Sequence, residues 1–417
     1  MSGSADDHAK PVMMRRQFGA LSGAAAIVAG SGSRALAQSA KPLTIAVLND
    51  GSGPTSDLSG GGAIVSAELA IEDFGGSVLG RPITLLRADH QAKSDLGIAF
   101  ARQWYDQGVA AIFDVGITTV AIGVQQLARE KNKLAVFTST GTVDMTRSLC
   151  SPNGIHWTYD SHSVAVGAAR ANMEAGAKSW FFMTVDYAYG RSLQAEATEF
   201  IEGHGGSILG AAKHPFETKD FSSDLLKAQS SGAQLIGLAT PTGQISNIVK
   251  QAAEFGIGRG GGGPQKLAPI GLFFNDVKGL GLDVAQGLLV TEPFYWDQTD
   301  ATRVFSKRFL ERYRRMPNSL QASVYGAVTH YLKAVKATGT DDTATVVAAM
   351  KAAPVNDFMT RDGVIRADGR VVRDLYVFRV KAPKESANEW DLYMPLSTIP
   401  AHDAFKPADA SVCSLVK

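Results

Sequence analysis

Apolar residues along this chain follow two alternating patterns, which together predict an α/β fold. Short runs rich in β-branched and aromatic residues alternate with longer stretches of helical periodicity. Runs that are apolar at almost every position are typical of parallel strands covered on both faces. The predicted strands are 44–48, 83–88, 110–114, 134–138, 179–184, 207–212, 235–238 and 269–272.

Helical patterns lie between and after these strands. A stripe formed by Ile64, Ala67, Ile71 and Phe74 predicts a helix packed on the first sheet, and a glycine pair marks its end. A polar, turn-rich tail is expected after the last helix. Further helices are predicted at 162–175, 190–204, 221–231, 243–256, 300–315, 319–337 and 343–353.

The order of these elements predicts two Rossmann-like lobes, each with a parallel sheet, joined by a hinge. The length of 417 residues also exceeds what one ordinary core accommodates. The chain is expected to cross between the lobes near 159–163 and 289–292, and repeated crossing makes a hinge rather than a flexible tether. The predicted division is 41–160 with 291–360 for the first lobe, 161–290 with 361–400 for the second, and 401–417 for a C-terminal tail.

The amino terminus has the pattern of an export signal. An arginine pair at Arg15-Arg16 precedes an apolar run over 20–32 and the small-residue sequence Ala35-Leu36-Ala37. This pattern predicts a twin-arginine signal peptide over residues 1–37 and a periplasmic protein. A buried helix is the alternative. No later stretch has the length of apolar residues that a membrane span requires.

Composition and charge exclude two classes of protein. Hydrophobic residues make up 45% of the chain and charged residues 19%, which is typical of a globular protein and not of a disordered one. Without residues 1–37 the formal net charge changes from +1 to −1. The chain therefore lacks the basic surface that nucleic-acid binding requires.

The two cysteines, Cys150 and Cys413, lie in the part of the chain expected to be exported. An oxidising compartment permits a disulfide between them, which would pin the tail to the first lobe. Closing so long a loop would stabilise the fold by roughly 4 to 5 kcal/mol in the chain-entropy model. Two unpaired buried thiols are the alternative.

No motif supports catalysis, a metal or a cofactor. The stretch 256–261 matches G-x-G-x-x-G by its letters, but it ends a helix instead of following a strand, so it is better explained as a helix stop. The histidines are scattered, and no nucleophile has a base at a recognisable spacing. We expect no enzyme and no cofactor, with a hydrolase of aromatic esters as a remote alternative.

Two hydroxyl-rich loops are the candidate ligand contacts. Gly116-Ile117-Thr118-Thr119 follows the strand 110–114, and Ser139-Thr140-Gly141-Thr142 follows the strand 134–138. In an open α/β sheet, ligands bind beyond the carboxyl ends of strands, and hydroxyls beside free backbone N–H groups suit a carboxylate. Ordinary helix capping by the same residues is the alternative.

Aromatic side chains are the other candidates, because pocket walls are mainly apolar with a few directed polar groups. They cluster at the strand ends and lobe crossings of the second half of the pattern. The aromatic candidates are Tyr159, Tyr187, Tyr189, Phe273, Phe274 and Tyr295, and Leu58, Asp186 and Asn275 complete the candidate set.

At these residues the chain resembles the leucine/isoleucine/valine-binding family of periplasmic solute receptors, the type I binding proteins. The resemblance implies a Venus-flytrap pair of lobes that closes on a small ligand and delivers it to the membrane permease of an ABC importer. We expect a monomer, and a ligand sensor of the same fold is an alternative. Besides the two hydroxyl-rich loops, the motifs are Ser52-Gly53-Pro54, Leu79-Gly80-Arg81-Pro82-Ile83, Tyr189-Gly190, Asp220-Phe221-Ser222 and Gly287-Leu288-Leu289-Val290-Thr291.

The resemblance also assigns roles to residues. The contacts of the ligand carboxylate correspond to Thr119, Thr140 and Thr142, with Gly141 between the last two, and Tyr189 corresponds to an aromatic that closes over the ligand.

One departure from the family pattern bears on the ligand. Amino-acid binders of the family place an acid after the strand corresponding to 269–272, where this chain has Phe273 and Phe274, with Asp276 nearby. Without an acid there, a buried ammonium would lack a counter-charge. The expected ligand is an aromatic or aryl-alkenoic acid, such as a benzoate-like or cinnamate-like molecule; a branched-chain or other amino acid is the alternative.

Overall fold

The computed structural model describes residues 41–258 and 265–417. The signal peptide expected over 1–37 lies outside the described residues, as does most of the glycine-rich stretch that follows Gly258. In the described ranges the strands form two parallel sheets, a three-stranded antiparallel sheet and a short β-ribbon.

The first sheet contains six strands and carries three connecting helices. Its strands are β1 Leu43–Asn49, β2 Ser77–Val78, β3 Arg81–Asp89, β4 Ala111–Asp114, β5 Leu134–Phe137 and β6 Gly154–His156. Its helices are α1 Gly60–Asp73, α2 Ser94–Asp106 and α3 Thr118–Glu130. The strand order is β2-β3-β1-β4-β5-β6, and all strands except the short β2 are parallel. The direction of winding reverses between β1 and β4, which is where open α/β sheets bind ligands.

The second sheet contains four parallel strands in the order β10-β9-β7-β8. Its elements alternate along one continuous stretch of chain, as the sequence pattern predicts. They are α4 Ser161–Glu174, β7 Ser179–Val185, α5 Ala188–Gly203, β8 Ser207–His214, α6 Ser222–Ser230, β9 Leu235–Ala239, α7 Thr242–Glu254, β10 Lys266–Pro269, α8 Phe274–Leu280 and α9 Leu282–Ala285.

The remaining chain adds helices to the first sheet and a third sheet beside the second. The elements are β11 Leu289–Glu292, α10 Asp300–Tyr313, α11 Ser319–Thr338, α12 Thr343–Ala352, β12 Val364–Ile365, β13 Val371–Val372, β14 Leu375–Val380, β15 Tyr393–Ile399 and α13 Ala401–Ala404. Helix α11 packs against α1, so a late chain segment completes the core under the first sheet. The third sheet has the order β11-β14-β15 and is antiparallel.

Apolar side chains fill both faces of each parallel sheet, and this double burial explains the unbroken apolar runs in the sequence. One face of the first sheet packs on α1, α11 and α12, and the other packs on α2 and α3. The second sheet packs on α4 and α5 on one face. Its other face packs on α6, α7, α8 and the third sheet. The predicted α/β fold with parallel sheets is confirmed.

Two expectations about secondary structure were wrong. The strand expected at 269–272 is β10, three residues earlier, because the apolar run continues past the strand into a turn at Gly271, where φ is 78°. The polar tail expected after α12 instead contains β14 and β15. In β14 the half-buried Tyr376 and Arg379 interrupt the buried residues, and β15 is exposed over 395–398, so neither strand forms an unbroken buried run.

The C-terminal segment after β15 contacts the helices and loops beside both parallel sheets. Asp403 and Lys406 form ion pairs with residues of α4 and α5, and Asp409 forms one with Arg147, beside the first sheet. Cys413 is bonded to Cys150 across a separation of 263 residues. The tail is thus a strap, defined as residues 401–413, tied to both halves of the described structure.

Candidate functional site

A cavity lies where the carboxyl ends of the two parallel sheets face each other. About 650 Å³ of space free of protein atoms lies in this cavity and in the open solvent at its mouth. Except for Leu320 at the start of α11, the lining residues lie in loops or helix starts that follow a strand, which is the position expected of a ligand site in open α/β sheets. The lining residues are Thr55, Leu58, Ser59, Ile117, Thr118, Ser139, Gly141, Tyr159, Tyr187, Tyr189, Phe216, Pro241, Phe273 and Leu320.

The loop after β4 brings a helix amino terminus to this cavity. Asp114, Val115 and Ile117 have φ values of 80°, 50° and 59°, which non-glycine residues seldom adopt. Such backbone strain persists where the surrounding structure enforces it, and it is concentrated at functional sites. Ile117 caps α3 without a side-chain hydrogen bond. The first N–H groups of α3, beginning at Thr118, therefore have no protein partner in the described structure.

The loop after β5 forms the neighbouring wall. In the described structure, the backbone N–H groups of Ser139, Thr140 and Gly141 donate no hydrogen bond to protein atoms. The carbonyl of Thr140 is fixed by the ring of His156, whose Nε2 donates to it at 2.7 Å. Burial lowers the pKa of His156 to about 3, so the ring is neutral. Two sets of free N–H groups thus converge at the cavity and suit an anion.

Aromatic rings from the second-sheet side form the opposite wall. The rings of Tyr159 and Phe273 meet edge to face with centroids 5.2 Å apart. The side chains of Tyr159 and Tyr189 interact, and burial raises the pKa of both phenols well above the usual value. A Cβ added to Gly141 would lie 2.5 Å from a ring carbon of Tyr189. The ring of Tyr189 therefore rests directly on the first-sheet loop, where only glycine leaves room for it.

The three threonines expected to contact a carboxylate do not present hydroxyls to the cavity. Thr119 is exposed on the second position of α3, and its Oγ1 accepts from the hydroxyl of Ser94 at 2.7 Å. Thr140 Oγ1 donates to the carbonyl of Val115 at 2.5 Å. Thr142 caps a 3₁₀ turn over Val143–Thr146. Of the three, only Thr142 caps a helical turn, whereas Thr119 and Thr140 bond to groups distant in sequence.

Thr118 takes the place expected for Thr119. Its side chain lines the cavity and is 6% exposed, and no hydrogen bond to its hydroxyl is found within the described ranges. Adjacent residues on a helix point about 100° apart, so a shift of one position moves a side chain from cavity to solvent.

The other candidates divide between the cavity and its surroundings. Leu58, Gly141, Tyr159, Tyr189 and Phe273 line it.

Four further candidates lie outside the lining. Phe274 and Tyr295 belong to an aromatic cluster behind the wall, with centroids 5.9 Å apart. Asp186 is exposed and paired with Arg191. The amide of Asn275 donates to the carbonyl of Asp57 at 2.9 Å, so this side chain joins α8 to the loop before α1 instead of lining the cavity.

Asp276 has an oxygen that accepts from the N–H of Phe273 at 2.9 Å, and this carboxylate caps α8. It is not among the residues that line the cavity, and no charged side chain is among them in the part of the chain that the structure describes.

Sequence reasoning missed Thr55 and Ser59 of the wall and, directly behind it, Asp114, and it named Ser139 only as part of a candidate loop. Asp114 is 0% exposed and accepts hydrogen bonds from the hydroxyls of Ser59, Thr138 and Ser139. The sequence signal for Asp114 is its place as the last residue of an apolar strand, because a charge buried there needs hydrogen-bond partners.

Buried charges hold the chain where it passes between the parallel sheets. Arg370 and Arg373, both fully buried, donate to the carbonyls of Tyr159 and Trp157 at 3.0 and 2.9 Å. These bonds fix the first crossing directly below the aromatic wall.

Glu292, at the end of β11, occupies the second crossing and is 0% exposed. Its carboxyl accepts from the hydroxyls of Ser319 and Tyr393 at 2.7 and 2.9 Å. These partners belong to α11 and β15, so one carboxyl joins β11 to two other elements. Burial raises its pKa to about 8.

Comparisons with known proteins identify the family. A family model described as "Periplasmic binding protein" matches residues 42–387. A periplasmic binding protein from Burkholderia mallei is 39% identical, with a TM-score of 0.85, over 91% of this chain and 100% of that one. A comparison with curated proteins found no match. No helix in the described ranges combines the length and apolarity needed to cross a membrane.

Two further solved structures share the fold. A branched-chain amino acid ABC transporter periplasmic ligand-binding protein from Burkholderia xenovorans LB400 is 40% identical over 88% of this chain and 97% of that one, with a TM-score of 0.82. A solute-binding protein from R. palustris in complex with benzoate is 19% identical over 89% and 99%, with a TM-score of 0.76. The chain belongs to the periplasmic binding protein family, as a type I solute-binding protein of ABC transporters.

Proposed function

We propose that this protein binds an aromatic or aryl-alkenoic acid, of benzoate-like or cinnamate-like chemistry, and delivers it to the permease of an ABC importer. The observation that carries the proposal is the pairing of free N–H groups on one wall with aromatic rings on the other. The N–H groups replace the hydration of a carboxylate through charge-assisted hydrogen bonds. The rings bury the aromatic body of the ligand.

The lining also disfavours an amine. Phe273 lines the cavity at the end of the second sheet, and the nearby Asp276 caps α8. An ammonium placed against Phe273 would lose its hydration without contacting a charged residue of the lining, at a cost of several kcal/mol. The benzoate complex of the R. palustris protein supports the ligand class by analogy of fold.

A branched-chain amino acid is the second candidate, because the 40% identical protein from Burkholderia xenovorans LB400 carries that description. In this case the ammonium would have to be held by uncharged groups of the cavity.

The proposed mechanism is closure of two lobes, 41–160 with 291–360 against 161–290 with 361–400, around the bound acid. The ring of Tyr189 packs on Gly141 across the cavity, which supports a contact made on closure. The crossings near 157–160 and 289–292 would act as the hinge. We further propose export by the signal over residues 1–37 and action as a monomer.

Calorimetry tests the ligand class. The mature protein, freed of retained ligand by unfolding and refolding, is titrated with benzoate, cinnamate, L-leucine and L-phenylalanine. We expect a dissociation constant in or below the micromolar range for an aromatic acid and no measurable binding of the amino acids. Tight binding of L-leucine alone would refute the aromatic class and favour the second candidate.

Two neighbouring phenylalanines provide a matched control. Phe273→Leu changes the cavity wall, whereas Phe274→Leu changes the aromatic cluster behind it. Both variants lose buried ring area and both should lose stability. Only Phe273→Leu should also weaken binding of the aromatic acid; equal affinities of the two variants would place the ligand elsewhere.

A further inference from the structure

The hydroxyl groups on the first-sheet wall point away from the cavity. Thr55, Ser59 and Ser139 all line it, and each donates its hydroxyl hydrogen to an aspartate behind the wall. Thr55 Oγ1 donates to Asp50 Oδ2 at 2.8 Å. Ser59 and Ser139 donate to the two carboxylate oxygens of Asp114. Only Thr118, among the serines and threonines of the described lining, has no such partner.

This arrangement fixes the polarity of the wall. A hydroxyl has one hydrogen, and a carboxylate only accepts. Once the hydrogens of Ser59 and Ser139 are directed to Asp114, the oxygens of these hydroxyls can offer only lone pairs to a ligand. The wall therefore contains acceptors at the serines, next to the N–H donors at the starts of the loops.

The side chain of Asp114 cannot readily rotate and release the hydroxyl hydrogens of Ser59 and Ser139. Its side chain is fully buried, and its Oδ1 accepts a further hydrogen bond from Thr138 at 2.7 Å. Its backbone has a φ of 80°, held by the ladder between β4 and its neighbours. Breaking one of these bonds would leave a buried charge under-solvated, which is unfavourable.

We propose that Asp114 is a specificity-determining residue, which makes Ser59 and Ser139 acceptors and so selects a ligand that carries a hydrogen-bond donor besides its carboxylate. The inference rests on the proposed function and narrows it to hydroxy-substituted aromatic acids. A phenolic hydroxyl can donate to a serine oxygen, whereas a plain ring leaves that oxygen without a partner. A methoxy group in the same place has no hydrogen to donate, so its oxygen and the serine oxygen would both be acceptors and would repel each other.

The test compares ligands that differ only in this group. The wild-type protein is titrated by calorimetry with benzoate, the three positional isomers of hydroxybenzoate and their methyl ethers. We expect the best hydroxybenzoate to bind at least about tenfold more tightly than benzoate and than its own ether. Equal binding of all of them, within about twofold, would overturn the inference and leave the proposed function standing.

An isosteric variant tests the role of Asp114 directly. In Asp114→Asn the amide nitrogen donates, so one of the two serines must turn its hydrogen toward the cavity. The ratio of affinities for the hydroxybenzoate and its ether should fall at least about threefold. The ratio is the readout because removal of a negative charge strengthens the binding of every acid alike.

Asp89→Asn is the matched control. Asp89 ends the adjacent β3, and it accepts from the N–H groups of Gly51 and Gln91 and from the hydroxyl of Ser52. Neither Asp89 nor Ser52 lines the cavity. This variant removes the same charge without releasing a cavity hydroxyl and should keep the wild-type ratio.

The outcomes separate the inference from the function on which it rests. An unchanged ratio in Asp114→Asn would refute the role of this residue. If that variant fails to fold, Ser139→Ala removes one acceptor directly and should lower the ratio. Failure of every aromatic acid to bind would refute the proposed function. Tight binding of L-leucine would also refute the proposed function, and the serine acceptors would then be available to the ligand ammonium.

Discussion

The buried carboxyl of Glu292 leads to a measurable dependence of stability on pH. Its pKa is about 8 in the fold against 4.5 for an ordinary glutamate, because burial disfavours the charged form. Between these values the folded protein keeps a proton that the unfolded chain releases. The free energy of unfolding therefore falls as pH rises through this range and is lowest above the folded pKa.

The size of the effect follows from the difference in pKa. Each pH unit between the two values contributes about 1.4 kcal/mol, so the range from pH 5 to pH 8 corresponds to on the order of 4 kcal/mol. The variant Glu292→Gln is neutral at every pH and keeps a group that can bond to Ser319 and Tyr393. The free energy of unfolding of this variant, relative to that of the wild type, should rise by about 4 kcal/mol from pH 5 to pH 8.

The assay is unfolding in urea at several pH values for both proteins, with the difference between them taken at each pH so that all other titrating groups cancel. Glu385→Gln is the control. The ion pair of Glu385 with Arg379 lowers the pKa of this carboxyl to about 2, so its effect should be constant from pH 5 to pH 9. A difference for Glu292→Gln that varies by less than about 1 kcal/mol would refute the reasoning.

Three further predictions concern the site and the strap. Thr118→Val should weaken binding of the aromatic acid by about 1 to 3 kcal/mol in calorimetry, whereas Thr119→Val should leave it unchanged; equal effects would contradict the assignment of the cavity-facing threonine. Gly141→Ala should weaken the same binding, because its Cβ would lie 2.5 Å from the ring of Tyr189; unchanged affinity would show that the ring does not need this contact. Cys150→Ser should lower the free energy of unfolding by up to about 5 kcal/mol in denaturant titrations, and no loss would mean that the bridge does not constrain the unfolded chain.

Most of the fold could be predicted because parallel strands buried on both faces leave unbroken apolar runs. The strands β1, β4, β5, β7 and β9 carry this signal, whereas the short strands β2 and β6 were not predicted. The antiparallel strands β14 and β15 do not carry it, because Tyr376 and Arg379 interrupt the buried residues of β14 and the middle of β15, 395–398, is exposed. The position of β10 was predicted three residues too late in the sequence, because apolar residues continue through the turn at Gly271 toward Phe273.

The loops that line the cavity were predicted from the sequence, but the side chains and atoms that they present to it were not. The loops after β4 and β5 do face the cavity, because the carboxyl ends of parallel strands share one edge. Which threonine of α3 faces inward depends on the residue at which the helix begins, and that follows from the unusual backbone of Asp114 and Ile117. The direction of a hydroxyl depends on a partner distant in sequence, as with Ser59 and Asp114, so the chain pattern cannot reveal it.

The packing of α11 against α1 has a consequence for the order in which the protein acquires its structure. The second sheet is built from one continuous stretch, so its strands can pair while later residues are still unfolded. The core under the first sheet needs residues from both sides of that stretch, and contacts so far apart in sequence form slowly. We expect refolding to pass through a state in which the second sheet is paired and packed on α4 and α5, while its face toward β14 and β15 and the core under the first sheet still expose apolar surface.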